Sequence, residues 1–456
     1  MKTASEPSTG IWQGRFVWVT VGAVALIFLA AIQSLAVTTV MPVVSADLDG
    51  ERLYAVAFAG TLATSVIGMV AVGAWCDRGG VLAPLSTAVG LFVIGLLISG
   101  LALTMPALVA GRLVQGLGTG GQTVALYVVV ARVYPGAMHG RVFAAFSAAW
   151  VVPSLIGPFL AGAVTEFLHW RWVFLGVAAL TVVAFAMVVA RLHGLPLHTD
   201  EPATSRIAPR LACAVAVAVG ALGLSLAGEL GTWAWAAVAV SVVVIGLASR
   251  PLLPRGTLLA ARGLPSVVLM RGLIAGALFG AEIYVPYLLI DEYGFSPTWA
   301  GLGLTAAALA WASAADVQGR SGDRIGNTRI TLIGTALLVA ALVVAAATAL
   351  LGLHPAVVIA GWALAGGGMG LMYPRLTVLT LAYSTAQNQG FNSSALSISD
   401  AVGSASSIAV MGLVFTALAG TDAGFPAVFV IAMVLALGAL VPGLRLGHAH
   451  EASPRG

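Results

Sequence analysis

A few ionisable side chains fall inside long apolar runs, where a charge is costly and is kept mainly for function. Glu282 lies within the run 266–290 and is followed by Tyr284, Pro286 and Tyr287. Burial penalises the charged form of a carboxyl, so an acid held there can take up and release a proton at physiological pH. This makes Glu282 the preferred proton carrier, the alternative being a hydrogen-bonded acid that shapes a helix break at Pro286. Asp400 shares a helical face with Ser393, Ser397, Ser404 and Ser407. It would bind a proton or a polar substrate group, with structural bonding to a neighbouring helix as the equal alternative. Arg112, Gln115, Thr119 and Gln122 follow one another at i, i+3, i+7 and i+10 on one helical face. An arginine there must face a cavity and have a partner, unless it is an interhelical anchor. Arg375, directly after Pro374, needs a partner as well, and Asp400 is a candidate.

The elements that carry these residues are membrane helices. Charged residues make up 8% of the 456-residue chain and its mean hydropathy is +1.02. A water-soluble surface could not be covered with so few charges. Breaks in hydropathy predict helices over 17–42, 53–75, 82–104, 106–133, 142–165, 171–192, 211–230, 233–250, 266–290, 298–318, 329–351, 355–382, 394–419 and 425–445. Such runs can cross a hydrocarbon core of ~30 Å. Arg78, Arg132, Arg141, Arg191, Arg206 and Arg210 fall on one side, as do Arg250, Arg255, Arg262, Arg271, Arg320, Arg324 and Arg329. Arg52 and Arg171 fall on the other, beside Asp47, Asp49, Glu51, Asp291, Glu292 and Asp422. The positive-inside rule then puts both termini in the cytoplasm of a plasma (inner) membrane. The net charge of +4 is a topological and lipid-headgroup signal, not a sign of nucleic acid. Twenty Arg against one Lys hints at a bacterial source.

The chain also repeats itself. Gly73-x-x-x-Asp77-Arg78-x-Gly80 recurs 246 residues later as Gly319-x-x-x-Asp323-Arg324-x-Gly326, each copy expected in a short polar break between apolar runs. Gly111-Arg112-x-x-x-Gly116-x-Gly118-x-Gly120 recurs as Gly361-Trp362-x-x-x-Gly366-x-Gly368-x-Gly370, at an offset of 250. Six helices need fewer residues than that, so two extra helices are expected between the halves. The plan is an N-terminal six-helix bundle over 1–192, a linker with two extra helices over 193–265, and a C-terminal six-helix bundle over 266–456. Drawing the Ala/Val-rich pair differently would leave twelve helices in place of fourteen.

Across nearly its whole length the chain resembles the major facilitator superfamily, an all-α polytopic fold of two pseudo-symmetric six-helix bundles. Gly73-Ala-Trp-Cys-Asp77-Arg78-Gly-Gly80 is similar to that family's box between helices two and three. The acid there can accept bonds from a helix end while the arginine pairs across the half's interface, a latch for one transport state. Asp316 would join the second copy of that latch, with Gly319, Asp323 and Arg324. Val81 and Leu82 replace the basic residues usual after the second glycine. Leu108-x-x-x-Arg112-x-x-Gln115-Gly116-x-Gly118 resembles the helix-four motif, whose arginine the resemblance links to proton transfer. Pro153-x-x-x-Gly157-Pro158-x-x-Ala161-Gly162 resembles the helix-five motif of antiporters. Trp170-Arg171-Trp172-Val173-Phe174 is similar to the fourteen-helix drug:proton antiporter branch. That branch carries an acid nine residues before the proline that is here Pro42, and this chain has Gln33 there.

The resemblance implies alternating-access transport: proton-coupled efflux of small hydrophobic or amphipathic compounds, with Glu282, Arg112 and Asp400 coupling protons. Gln33, Gln115, Gln122, Tyr284, Tyr287 and Arg375 are candidates to line the substrate cavity. A monomer driven by the proton gradient, in contact with membrane lipid and needing no further cofactor, is expected. A lipid or cell-envelope precursor transporter of the same fold is the alternative, and a non-transporting sensor a more distant one. Neither ligand-spaced metal residues nor a P-loop lysine is present, so neither an enzyme nor an ATP-driven pump is expected.

Overall fold

The computed structural model describes residues 12, 16–76, 78, 80–192, 207–384 and 389–446. With hydrophobic residues at 60% of positions, the backbone satisfies its own polar groups in helices, as lipid demands. The helices are α1 (Val17–Asp47), α2 (Tyr54–Cys76), α3 (Leu82–Gly100), α4 (Met105–Val133), α5 (Gly136–Phe167) and α6 (Arg171–Leu192). Next come α7 (Ile207–Ser225) and α8 (Ala234–Ser249). The second set is α9 (Leu264–Glu282), α10 (Tyr284–Asp291), α11 (Pro297–Ile325), α12 (Asn327–Leu351), α13 (Pro355–Ala382), α14 (Gln389–Ala417), α15 (Gly424–Gly438) and α16 (Leu440–Gly443). Helices α9 and α10 make one span, as do α15 and α16. Among the described residues thirteen helices are long and apolar enough to cross a membrane, or fourteen where the bent α5 is counted as one span.

The packing repeats. Contacts of α2 with α4, α3 with α4, α1 with α5, α1 with α6 and α3 with α6 recur as α11–α13, α12–α13, α9–α14, α9–α15 and α12–α15. The repeat reaches single residues. A Cβ on Gly116 would strike the Thr61 carbonyl, and one on Gly120 the Ser65 carbonyl. Gly366 meets the Ala307 carbonyl and Gly370 that of Trp311 in the same way. Those are the first four positions carried forward by the two offsets, 250 on one helix and 246 on its neighbour. A side chain at any of these glycines would force two helices apart.

The halves meet along two seams, α5 against α11 and α2 against α14. Helix α7 lies along both α2 and α14, covering that seam, and α8 packs chiefly on α7. At the end of the bundle that carries few arginines, the Tyr54 hydroxyl donates to the Ile283 carbonyl at 2.7 Å. There too the Thr298 hydroxyl donates to Glu166 Oε2 at 2.6 Å. These bonds close the Arg-poor end.

One expectation about the repeat is corrected. The second box does not sit in a loop, because α11 runs on to Ile325 and stops only where Gly326 takes a positive φ of 88°. Polar residues beyond the apolar stretch can continue a helix in water, and Asp316 supports it by pairing with Arg320 one turn on at 3.0 Å. In the first copy α2 ends at Cys76, before the Asp-Arg-Gly-Gly stretch.

Candidate functional site

Each half carries a polar centre within its apolar helices, and the two are built differently. In the N-terminal half Arg112 is 5% exposed. Its Nε donates to the Ala57 carbonyl at 3.2 Å and its Nη1 to Gln115 Oε1 at 2.8 Å. The i, i+3 spacing on α4 puts the Gln115 acceptor beside the guanidinium, and the close α2–α4 packing brings up the carbonyl. The partner of Arg112 is thus its own half's backbone and amide. Gln122 Nε2 donates to the Leu26 carbonyl at 3.1 Å, tying α4 to α1. Gln33 is fully buried in α1, and its amide has no hydrogen-bond partner among the described residues.

In the C-terminal half three residues from three helices converge. Arg271 of α9 donates from Nη2 to Asp400 Oδ2 at 3.4 Å, and from Nη1 to the Tyr373 carbonyl at 3.2 Å and to Thr377 Oγ1 at 3.4 Å. Its guanidinium lies 3.3 Å from the centre of the Tyr373 ring. The Tyr373 hydroxyl donates to the other oxygen, Asp400 Oδ1, at 2.5 Å. The carboxylate is therefore held by a cation on one side and a phenol on the other, with the Arg271 and Asp400 side chains 13% and 25% exposed. Phe279 and Trp311 meet the Tyr373 ring edge-on, at 6.3 and 5.2 Å.

Glu282 ends α9, half-buried, at the break before α10. Pro286 supplies no N–H to the carbonyl four residues back, which is that of Glu282. The carboxyl has no bonded partner among the described residues. Next to it, the Ile283 carbonyl takes the closing bond from Tyr54. The Tyr54 ring also meets those of Tyr284 and Tyr287 at a tilt, with ring centres 5.9 and 5.0 Å apart, and both of those rings meet Phe415.

The remaining predicted residues are distributed as follows. Arg375 donates to Asn327 Oδ1 at 2.6 Å, so the partner of Asp400 is Arg271 and not Arg375. Of the antiporter-like motif, Pro153, Gly157, Pro158 and Gly162 are buried in α5. A Cβ on Gly162 would strike the Pro297 carbonyl and Thr298 Cα, so this residue sets how closely α5 and α11 approach. Arg78 is exposed, and Gly73 and Gly80 are half-buried. Gly319 and Arg324 are exposed on α11. Asp77 and the side chain of Asp323 lie outside the described residues. Among the described residues there is no metal-ligand cluster, and neither Cys76 nor Cys213 forms a disulfide. Arg271 and Tyr373 were not singled out from the sequence. The available signal was that position 271 falls inside the predicted run 266–290, although it was counted with the loop arginines.

The model of the Major Facilitator Superfamily matches residues 23–405. The multidrug efflux pump SdrM of Staphylococcus aureus is 24% identical over 371 residues, covering 79% of this chain and 81% of that one. A Mycobacterium tuberculosis protein named "Probable multidrug-efflux transporter" is 26% identical, with 100% of each chain covered. Among solved structures, the peptide transporter POT superposes with a TM-score of 0.69 at 16% identity, covering 96% of each chain. The D-xylose-proton symporter does so at 0.66 and 15%, covering 95% of this chain and 97% of that one. At such identities these two superpositions speak for the fold alone. A family match spanning most of the sequence, on a helix packing that repeats itself from one half to the other, means that the chain belongs to the Major Facilitator Superfamily and is a multi-pass membrane transporter, not an enzyme.

Proposed function

We propose that this transporter exports small hydrophobic or amphipathic compounds in exchange for protons, acting as a monomer and needing no cofactor beyond the proton gradient. Its Arg-rich end faces the cytoplasm, with both termini on that side of a bacterial inner membrane, as the arginine bias supports. The described state, closed at the Arg-poor end, is then the one that would receive cargo from inside. Multidrug efflux pumps among the relatives support export.

The observation that carries the reading is Glu282, which stands without a bonded partner at the helix break whose next carbonyl accepts the closing bond. A carboxyl in that position alters the charge at the closure each time it gains or loses a proton, and so weights one tilt of the halves against the other. The Arg271–Asp400–Tyr373 cluster offers cargo one polar anchor among aromatic walls. That suits a molecule with a large apolar body and a small polar head better than a sugar. The test is efflux from proteoliposomes under an imposed pH gradient. Glu282→Gln is expected to abolish gradient-driven efflux while solute counterflow persists. Gradient-driven efflux equal to that of the wild type would remove Glu282 from the mechanism.

A further inference from the structure

We infer that Glu166 is a positioning residue for transport, a charged latch by which the N-terminal half holds the first turn of α11 and keeps the Arg-poor end shut. Glu166 is the penultimate residue of α5, and its carboxylate accepts a hydrogen bond from Thr298, the second residue of α11. The first turn of a helix leaves backbone N–H groups unpaired and carries a partial positive charge, so a carboxylate placed there is favourable. The sequence builds the approach on both helices. Gly162 lies against Pro297 and Thr298 from the α5 side, and Gly301 lies against the Pro158 carbonyl from the α11 side. The first turn of α11 is thereby brought within reach of Glu166.

Among the described residues the other seam has no carboxylate at the equivalent place. Carried forward by the offsets, the positions of Glu166 and Thr298 correspond to Thr416 and Arg52. Arg52 turns instead to Glu229, at 3.6 Å, in the turn between α7 and α8. The charge latch is thus a property of one seam, and the duplication did not supply it. When the halves rock, the Arg-poor end must part and Glu166, which stands exposed at the rim, must leave Thr298. Glu166 touches no cargo; it acts by weighting the closed state. The inference rests on the alternating-access part of the proposed function and on neither the cargo nor the direction of export.

The test reads opening directly. Thr39 is buried behind the seam, next to Gly301, so Thr39→Cys reports access once Cys76 and Cys213 are replaced by alanine. The full-length protein is reconstituted in liposomes without cargo or pH gradient and reacted with a membrane-impermeant maleimide. Glu166→Gln and Thr298→Val should each raise the labelling rate, by about two- to fivefold for loss of one exposed charge–helix contact. The double variant should label more slowly than the product of the two single increases, because both weaken the same contact. Unchanged rates, or effects that multiply in the double variant, would overturn the latch. If Glu166→Gln does not yield folded protein, Thr298→Val against the parent decides alone. Because no gradient-driven efflux is measured, failure of the Glu282→Gln test leaves this result standing, and an unmoved labelling rate here leaves proton-driven export standing.

Discussion

The two seams occupy equivalent places in a duplicated fold, yet different forces close them. In the α5–α11 seam glycines press against backbone, with Gly162 on Pro297 and Thr298 and Gly301 on Pro158, and a carboxylate meets a helix start. The α2–α14 seam is aromatic. Beside it Tyr54 of α2 reaches the Ile283 carbonyl at the α9–α10 break and its ring meets those of Tyr284 and Tyr287 at a tilt, both of which meet Phe415 of α14, while Gly412 of α14 meets only the Ala55 methyl closely. Helix α7 covers the second seam and leaves the first uncovered. Gly162 and Gly412 are 250 residues apart, the offset of the internal repeat. The close approach was thus retained in both copies while the bonding around it diverged. Geometry common to the halves lets both seams part together, and unlike chemistry lets each be weighted separately.

The largest effect is expected where a methyl group meets atoms that cannot yield. Gly162→Ala would push on a carbonyl and a Cα of α11, and Gly412→Ala on the Ala55 methyl, which is fixed to its backbone and cannot rotate away. Overpacking of this kind costs about 1–3 kcal/mol, so the closed state should lose roughly an order of magnitude in population at either seam. The Thr39→Cys labelling rate should rise strongly for Gly162→Ala and for Gly412→Ala alike. A strong effect at one glycine and none at the other would mean that only one seam holds the end shut.

This contrast also shows what could be read from the chain alone. The glycine positions are local signals repeated at fixed offsets, and the structure uses each matched pair against the same neighbouring position, as Gly116–Thr61 and Gly366–Ala307 do. Helices and their pairing followed because apolar runs and small residues are written into contiguous sequence. The polar centres did not follow. Carrying Arg112 forward by 250 gives Trp362, and Gln115 gives Ala365, so the repeat holds no information about the second centre. That centre joins Arg271 to groups 102 and 129 residues away, pairings that no spacing rule reaches. Arg271 sits near the start of its helix, where a long side chain can equally well extend to the headgroups, so residue type alone did not mark it as a partner of Asp400. The second box misled for a related reason, since polar residues mark the end of the hydrocarbon but not the end of a helix.

A middle-sized effect tests whether the seams act independently. Tyr54→Phe keeps the ring packing and removes the hydroxyl that bonds the Ile283 carbonyl. Loss of one such bond is worth about 0.5–1.5 kcal/mol, or roughly two- to tenfold in the open population. Combined with Glu166→Gln the two increases should multiply, because the residues share no partner. Increases that fail to multiply would mean that the two closures form one cooperative unit.

The smallest effect is expected from the charge pair on the covered seam. Arg52 and Glu229 stand 3.6 Å apart with side chains 77% and 52% exposed, so water screens them almost completely. Arg52→Ala should change the labelling rate by less than about twofold, in line with the small worth of exposed ion pairs. The reason lies in how α7 holds its place. Leu222 of α7 packs toward Gly60 of α2, so the brace is apolar and extends along the span, and it does not hang on the ion pair at its edge. If Arg52→Ala opened the Arg-poor end as much as Glu166→Gln does, the central hairpin would be pinned by charge after all. The two seams would then differ in cover but not in kind.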